Sequence, residues 1–317
     1  MDLHKATLAM LLAAGVGTVA LSRTTFAQRG QAAAPAPPVW VPRIKPGVYV
    51  APNRPHVKLT ELKARHAGQA NWREVIVDDG RLQGEYISAA PGTKTPKSFH
   101  PDTRVFWSVV EGQMTVEIEG QEPVLATKGS LVQVPKQTLY SIETTGSTPS
   151  LRFEVNVSKA KTLYPQTSTA EKPPAMPGFE WVSMNYRPRA AAYDNGNVPH
   201  VNLFEVAKAS ANFTRNVVRD TASEVLFIYG SEKDLPPLNV NDKGHLHPES
   251  AEFWLIMTGQ IRHAIETLPP FIADEGDIVF APPGTLHATR FAGPGPSCRL
   301  SITEFQGNSA ITELPAR

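Results

Sequence analysis

The feature that most constrains the fold of this chain is an internal repeat. The segment PHVKLTELKA at residues 55–64 is echoed by PHVNLFEVAK at residues 199–208, 144 residues later. Further along, landmark residues recur at a constant offset of 147 residues. They are Phe106, Trp107, Gly112, Gln113, Gly129 and Pro135 in the first half, and Phe253, Trp254, Gly259, Gln260, Gly276 and Pro282 in the second. A constant offset leaves no insertion between the landmarks, so the repeat indicates one structural unit present twice.

Each half is a succession of short β-like runs. The runs are REVIVDD, GQMTVEIEG, GSLVQVP and SLRFEVNV in the first half, and SEVLFIYG, EFWLIMTGQIRHAIE, GDIVFAPPG and CRLSITEF in the second. Gly, Pro, Asn and Asp separate them, and long segments with the helical period of 3.6 residues are missing. The pattern predicts an all-β protein built from two antiparallel barrels or sandwiches in tandem.

The first residues have the pattern of an export signal. Lys5 precedes an apolar stretch at residues 6–21, and small residues follow at Thr25 and Ala27. This stretch is shorter than the ~20 residues that span a bilayer, so we interpret residues 1–27 as a cleaved signal peptide rather than a membrane anchor. No paired arginines precede the stretch, which favours export of the unfolded chain. We therefore predict a periplasmic or secreted protein without a stable membrane anchor.

Two proline-rich regions divide the remaining chain. Residues 28–48 contain GQAAAPAPPVWVPRIKPG and are predicted to form an extended Pro/Ala-rich linker, because prolines oppose helix formation. A second such region, TLYPQTSTAEKPPAMPG, falls between the two repeats. We accordingly assign residues 49–160 to an N-terminal barrel, residues 161–198 to an inter-domain connection and residues 199–317 to a C-terminal barrel.

Charge and cysteine content exclude several classes of function. The chain has 31 Lys and Arg against 30 Asp and Glu, which gives no electrostatic footprint for nucleic acid or for an anionic membrane surface. Cys298 is the only cysteine, which excludes an intramolecular disulfide, an iron–sulfur cluster and a paired-cysteine redox site. We expect Cys298 to be a packed core thiol.

The second half contains a group of side chains suited to bind a metal. In GHLHPESAEFWLIMTG, His245 and His247 are two residues apart and lie on one face of an extended segment, and Glu252 follows a turn. The segment GDIVFAPPGTLH then supplies a strand, a Pro-Gly turn and His287. Neutral imidazoles and a carboxylate suit a divalent transition metal, and four such ligands leave positions open on an octahedral ion. A substrate, oxygen or water would bind at an open position.

At these residues the chain resembles the cupin superfamily. The first cupin motif, H-x-H-x4-E-x6-G, is filled by His245, His247, Glu252 and Gly259. The second motif, G-x5-P-x-G-x2-H, is filled by Gly276, Pro282, Gly284 and His287. The resemblance implies barrels of the jelly-roll type, and hence a bicupin with one intact metal motif. It also implies that His245, His247, Glu252 and His287 hold the metal.

The resemblance is strong over about residues 200–310 and reaches residues 55–160 through the repeat. The sequence departs from the superfamily pattern at two positions. Asn239 stands where a glycine often opens the first motif, and Phe291 stands where an asparagine often closes the second. Neither position carries a metal ligand, so the departures concern the turn geometry.

Other residues of the second half are weaker candidates. We expect Trp254 to be a core residue, but because it shares a strand face with Glu252 it is also the first candidate for the wall of a substrate pocket. Thr289 is a further candidate for that wall. Glu252 is also the candidate catalytic residue, as a proton shuttle if it detaches from the ion. We expect three further histidines to be hydrogen-bonded or solvated rather than ligands. They are His56, His200 and His263.

The first half does not repeat the ligand set. The offset of 147 places Ser98, His100, Val105 and Tyr140 where His245, His247, Glu252 and His287 stand. One imidazole does not hold a divalent ion tightly against water, and Val105 offers no carboxylate. We therefore predict one divalent metal ion per chain, in the C-terminal barrel, and a packing role for the N-terminal barrel, although His100 and Tyr140 could hydrogen-bond to each other. Iron, manganese, copper, nickel and zinc all suit the site.

Two classes of function fit these residues. The first is an exported metalloenzyme, an oxidoreductase of the dioxygenase kind or a decarboxylase, that acts on a small organic substrate. The second is a non-catalytic, metal-dependent binder of small molecules or sugars in the cell envelope, because a fold does not determine a function. The spacing identifies no second catalytic acid, so the sequence leaves both open. Exposed sheet edges make a homodimer reasonable.

Overall fold

A computed structural model describes residues 40, 43, 45–166, 175–186, 189–209, 212–305 and 311–312. The predicted signal peptide, residues 1–27, lies outside the described residues, as does most of the predicted linker. The chain divides into two units, residues 1–42 and residues 43–317, and both barrels belong to the second unit. In the described part of the chain, no helix has the length and apolar character needed to cross a membrane.

The first repeat consists of short strands and one short helix. The elements are β1 (His56–Val57), α1 (Leu59–Arg65), β2 (Trp72–Asp78), β3 (Leu82–Ala89), β4 (Val105–Glu111), β5 (Gln113–Ile118), β6 (Val124–Thr127), β7 (Ser130–Val134), β8 (Tyr140–Thr144) and β9 (Ser150–Val157).

The second repeat has the same order of elements, with one additional 3₁₀ turn at Glu232–Asp234. The elements are β10 (His200–Asn202), α2 (Leu203–Ala207), β11 (Phe213–Arg219), β12 (Ser223–Gly230), β13 (Glu252–Thr258), β14 (Gln260–Ile265), β15 (Phe271–Asp274), β16 (Ile278–Ala281), β17 (His287–Ala292) and β18 (Ser297–Glu304).

Each barrel is formed by a six-stranded and a three-stranded antiparallel sheet. The strand orders of the first barrel are β10-β7-β4-β9-β3-β2 and β6-β5-β8. The corresponding orders of the second barrel are β1-β16-β13-β18-β12-β11 and β15-β14-β17. The predicted all-β fold with two tandem jelly-roll barrels is thereby confirmed.

The two barrels exchange one strand each. Strand β1 comes from the first repeat but pairs with β16 of the second barrel, where His56 lies opposite Val279. Strand β10 comes from the second repeat but pairs with β7 of the first barrel, where His200 lies opposite Val132. The exchange covers an edge of each large sheet that would otherwise be exposed.

Strand β13 is buried on both faces. Trp254 and Ile256 belong to a hydrophobic cluster inside the second barrel. Phe253, Leu255 and Met257 belong to another cluster, to which both barrels contribute. Side chains alternate between the two faces of a strand, so the continuous apolar run in FWLIM supplies both cores at once.

The shared core also contains specific contacts between the barrels. The rings of Phe153 and Phe253 pack edge to face with centroids 6.4 Å apart. The buried hydroxyl of Tyr86 donates a hydrogen bond of 2.6 Å to the carbonyl oxygen of Gly276. Cys298 lies in this core as a buried free thiol, as expected. The outer faces of the large sheets are therefore an internal interface rather than a solvent-exposed surface.

Candidate metal centre

Backbone hydrogen bonds bring the two sequence motifs together. The backbone of His245 pairs with that of His287, with N to O distances of 3.0 and 2.8 Å. The amide of Gly284 donates to the carbonyl oxygen of His247 at 2.7 Å. Glu252 is the first residue of β13, and His287 is the first residue of β17. The Pro-Gly turn before His287 therefore holds this histidine against the loop that carries the other two.

The four side chains of the predicted ligand set converge. Nε2 of His247 and Nε2 of His287 each lie 2.9 Å from Oε2 of Glu252, and Nε2 of His245 lies 3.6 Å from the same oxygen. All four ligand atoms lie within 4.8 Å of one another. Two atoms bound to one ion at 2.0–2.2 Å are separated by at most about 4.4 Å. The donors thus fit a single divalent ion with small side-chain adjustments.

Burial differs between the four side chains. His247, Glu252 and His287 are buried, whereas the side chain of His245 is 37% exposed. A substrate would therefore approach the cluster on the side of His245. Nδ1 of His287 lies 2.9 Å from the carbonyl oxygen of Thr285, which only accepts hydrogen bonds. Nδ1 therefore donates a hydrogen bond to that carbonyl, and Nε2 is the nitrogen turned towards the cluster, which a metal would bind through its lone pair once this nitrogen is deprotonated.

Glu252 is ionised in this setting. Burial raises the pKa of its carboxyl group, but hydrogen bonds from His245, His247 and His287 outweigh burial and hold that pKa well below its usual range. The hydroxyl of Ser301 donates to Oε1, the oxygen that faces away from the three imidazoles. A metal ligand must be deprotonated, and both oxygens of Glu252 are oriented by neighbours.

The two predicted pocket residues lie on the strands that carry ligands. Trp254 is fully buried, and its ring centroid is 5.2 Å from that of His287. Thr289 is half-buried and accepts a hydrogen bond of 2.7 Å from Arg299. Trp254 therefore packs directly against a ligand, while Thr289 lies beside a buried cation that the sequence motifs did not single out.

The three histidines set aside in the sequence behave differently. His56 hydrogen-bonds to Asp277 at 2.7 Å, and His200 hydrogen-bonds to Ser130 at 2.9 Å, as expected. For His263 the expected hydrogen bonding or solvation is not found, because the ring is fully buried and neither nitrogen has a hydrogen-bond partner among the described residues. Burial first, and the charge of Arg299 next, hold the pKa of His263 well below its usual range. No sequence signal distinguished it, because its neighbours come from other strands.

The equivalent positions of the first barrel form a closed polar pair. Nδ1 of His100 donates to the carbonyl oxygen of Lys161 at 3.0 Å, and Nε2 lies 3.2 Å from the hydroxyl of Tyr140. Val105 is buried in the interior cluster of this barrel. Both nitrogens of His100 are thus engaged within the protein, through the hydrogen bond to Tyr140 that the sequence left open.

Comparison with known protein families identifies one domain of the chain. Residues 86–157 match the family model described as the cupin domain. The chain carries a cupin domain. The matched residues belong to the first cupin barrel, in which the ligand positions are substituted, whereas the metal cluster belongs to the second barrel. A search of curated protein sequences found no match.

Solved structures resemble the chain over both barrels. A cupin 2 conserved barrel domain protein from Leptotrichia buccalis has a TM-score of 0.52 at 14% identity, covering 82% of this chain and 97% of that protein. A salicylate 1,2-dioxygenase from Pseudoaminobacter salicylatoxidans, solved as adducts with gentisate, has a TM-score of 0.57 at 11% identity, covering 83% of this chain and 85% of the dioxygenase. At such identities the likeness concerns the fold alone.

Proposed function

We propose that this chain is an exported, metal-dependent bicupin enzyme that acts on a small organic substrate at its C-terminal barrel. The observation that carries the proposal is the convergence of three imidazoles and one carboxylate on a single point, with three of the four side chains buried. The fold likeness to a salicylate dioxygenase supports an oxidoreductase of the dioxygenase kind as the first reaction to test. A decarboxylase is the second.

The residues around the cluster have separable roles in this proposal. A bound divalent transition metal would supply Lewis-acid or oxygen-activating chemistry at positions that the four ligands leave open. His247 and His287 anchor the ion from the buried side, and Ser301 orients Glu252. The exposed side of His245 admits the substrate, while Trp254 excludes water behind His287. Glu252 remains the candidate proton shuttle, because it is the acid closest to the reacting atoms.

The decisive experiment separates the two reactions and the non-catalytic alternative. The metal content of protein purified from its native compartment is measured first, and the protein carrying that metal is then incubated with phenols, diketones and dicarboxylates, with and without oxygen. Oxygen consumption matched to substrate loss supports the dioxygenase reaction, and carbon dioxide release without oxygen consumption supports the decarboxylase reaction. Tight metal binding without turnover of any substrate class would instead support the metal-dependent binder.

Export is tested separately from chemistry. The chain with a C-terminal tag is expressed in a bacterium with two membranes, and the cytoplasmic and periplasmic fractions are compared. The expected result is a shortened periplasmic protein whose N-terminal sequence begins near residue 28. Retention of residues 1–27 in a cytoplasmic product would overturn the export part of the proposal and leave the metal chemistry standing.

A further inference from the structure

Arg299 lies beside the metal cluster on the interior of the second barrel. Its neighbours Leu300 and Ile302 face the core shared by both barrels, so Arg299 and Ser301 face inward. Ser301 hydrogen-bonds to Glu252 and is two residues from Arg299, a distance of about 7 Å along a strand. Strand β18 therefore places Arg299 in the layer next to the ligands.

A second strand gives the same position independently. Nη2 of Arg299 donates to the hydroxyl of Thr289 at 2.7 Å, and Thr289 is two residues from the ligand His287 on β17. The guanidinium carbon lies 5.3 Å from the ring centroid of Phe291, on the same strand. The guanidinium is thus held between the large and the small sheet, about one side-chain layer from the cluster.

Two donor groups of Arg299 have no hydrogen-bond partner among the described residues. The residue is 6% exposed, yet Nε and Nη1 have no hydrogen-bond partner within the described ranges. Burial lowers the pKa of Arg299 to about 10, so the group is still cationic at neutral pH. Charges buried in proteins are normally paired, and unpaired donors are costly. The arrangement calls for an anion that the described side chains do not supply.

Glu252 is not the anion that pairs with Nε and Nη1 of Arg299. Its Oε2 faces the three histidines and its Oε1 receives the hydroxyl of Ser301. One carboxylate also leaves a divalent ion with a residual positive charge. With the metal bound, Arg299 and the centre together would therefore carry an excess positive charge in a buried interior, which favours an anionic ligand.

The first barrel shows what a satisfied arginine looks like at this position. Arg152 is the repeat equivalent of Arg299 and is equally buried, with 6% exposure. Its Nε donates to Oε2 of Glu154 at 2.8 Å. The repeat equivalent of Glu154 is Ser301, so the second barrel keeps the arginine and lacks the acid that pairs with it.

A second acid is also replaced. Glu85 lies directly opposite Glu154 in the register of the first barrel, whereas Leu226 lies directly opposite Ser301 in the second. Glu85 is itself hydrogen-bonded to Arg73, whose counterpart in the second barrel is Thr214, so the replacement of Glu154 by Ser301 is the change that leaves Arg299 without its acid. The contrast between the barrels is one of charge, since the strand pairing is the same.

Three residues around Arg299 are only partly buried. Ile228 lies directly opposite Arg299 on β12, and Leu226 is two residues away on the same face. Both are half-buried, as is Thr289 across the barrel. The side chains around the guanidinium are therefore not sealed from solvent, and a small ligand would enter between them.

We propose that Arg299 anchors a carboxylate group of the substrate, so that the enzyme acts on small organic carboxylates held between this guanidinium and the metal centre. The proposal rests on the proposed function and specifies its substrate class. Thr289 and Phe291 are the positioning residues, because they fix the guanidinium and leave Nε and Nη1 directed at the ligand.

The test compares each carboxylate with its neutral isostere. Binding of benzoate and benzamide, and of acetate and acetamide, to the Zn²⁺-loaded protein is measured by calorimetry for the wild type, Arg299→Met, Arg299→Lys and Arg152→Met. The wild type is expected to prefer the carboxylates. Arg299→Met is expected to lose that preference by roughly 10- to 100-fold, because charge-assisted hydrogen bonds disappear, and Arg299→Lys is expected to restore part of it.

Arg152→Met is the matched control. It removes the equivalent arginine from the other barrel, so it is expected to leave carboxylate affinity unchanged and to lower the melting temperature, because Glu154 loses its partner. Arg299→Met is expected to keep the wild-type zinc stoichiometry and to melt no earlier than the wild type, because it removes an unpaired buried charge.

The outcomes separate this inference from the proposed function. If the wild type binds zinc but binds carboxylates no better than amides, or if the preference survives in Arg299→Met, the assignment of Arg299 is wrong and the metal site stands. If the wild type binds no metal, the proposed function fails. The same titrations on the metal-free protein then test Arg299 alone. If Arg299→Met loses the preference for carboxylates over amides, Arg299 binds the carboxylate; if the preference is unchanged, the assignment is refuted.

Discussion

The hydroxyl of Tyr140 lies 3.2 Å from Nε2 of His100, at the two positions of the first barrel that correspond to His287 and His247 in the second. Because Nδ1 of His100 donates to a carbonyl oxygen, Nε2 of the neutral ring accepts a hydrogen bond from the tyrosine hydroxyl. Burial lowers the pKa of His100, which favours this neutral form. The same backbone thus holds a closed hydrogen-bonded pair in one barrel and a set of convergent metal donors in the other.

Replacing one ligand should remove the metal. We expect His247→Ala to lower bound metal roughly tenfold or more after dialysis against a weak chelator, because it removes one of the three donors on the buried side of the ion. Metal content per chain, measured by elemental analysis, checks this. The matched control is His100→Ala, the equivalent change in the first barrel, which should leave metal content unchanged. Full occupancy in His247→Ala would refute the ligand assignment.

The hydroxyl of Ser301 should contribute to metal affinity without touching the ion. It donates to Oε1 of Glu252, and outer hydrogen bonds of this kind typically contribute 10- to 100-fold to affinity. We expect Ser301→Ala to weaken zinc binding by about that factor in a chelator competition, with an unchanged circular dichroism spectrum. Ser150→Ala, which removes a buried hydroxyl from the equivalent strand β9 of the first barrel, serves as the control. Equal zinc affinity in the two variants would show that the Ser301 hydroxyl does not orient Glu252.

The contact between Tyr86 and Gly276 should stabilise the pair of barrels. Tyr86→Phe removes a buried donor and leaves the carbonyl oxygen of Gly276 unpaired, which should cost about 1–3 kcal/mol in the free energy of unfolding. Denaturant unfolding measures this, and metal affinity should not change. Tyr49→Phe is the comparison, because its hydroxyl makes a longer bond of 3.3 Å to Phe280 in a less buried place. An equally large loss of unfolding free energy in Tyr49→Phe would show that the hydrogen bond between Tyr86 and Gly276 contributes no more to stability than an ordinary tyrosine hydrogen bond.

Much of the metal centre was predictable because its ligands lie in short segments of the sequence. His245, His247 and Glu252 lie within one short segment, and His287 follows at the end of a strand and a Pro-Gly turn, so spacing and strand alternation sufficed to group them. The recurrence of the landmark glycines in the repeat also has a local cause, which is the backbone conformation at these positions. Gly112 and Gly259 have φ values of +70° and +71°, in the left-handed region that disfavours other residues.

The features that sequence reasoning missed depend on strand pairing between distant segments. The repeat assigned residues 49–160 to one barrel, but β1 pairs with β16 of the other barrel. This pairing depends on which open sheet edge lies nearest in space, and the sequence offset between the repeats contains no information about that. Arg299 looked like an ordinary strand residue until Ser301 and Leu226 were seen to stand where the first barrel has acids. Similarly, the isolation of His263 depends on neighbours from several strands.

The strand exchange depends on Asp277, whose carboxylate links β1 and α1 to the second barrel. Its Oδ2 lies 2.7 Å from Nε2 of His56, and its Oδ1 accepts from the amide of Leu59 at 3.0 Å, at the start of the short helix α1. Its Oδ2 also accepts from the amide of Asp274, and Asp277 is buried, so its removal leaves three partners unpaired. We expect Asp277→Ala to lower the free energy of unfolding by about 2–4 kcal/mol.

The location of the destabilised residues in Asp277→Ala tests the role of Asp277 as well as the size of the energy change does. Amide hydrogen exchange in Asp277→Ala should accelerate over residues 55–65, because β1 loses its anchor on the edge of β16, while the protection of β10 is retained. Ser130→Ala makes the equivalent change in the first barrel, where the hydroxyl meets His200 at 2.9 Å, and should accelerate exchange near β10 instead. It should cost less, about 1–2 kcal/mol, because a neutral hydroxyl makes weaker hydrogen bonds than a carboxylate. If both variants destabilise the two exchanged strands equally, the strands form a single cooperative unit and Asp277 is not a local anchor.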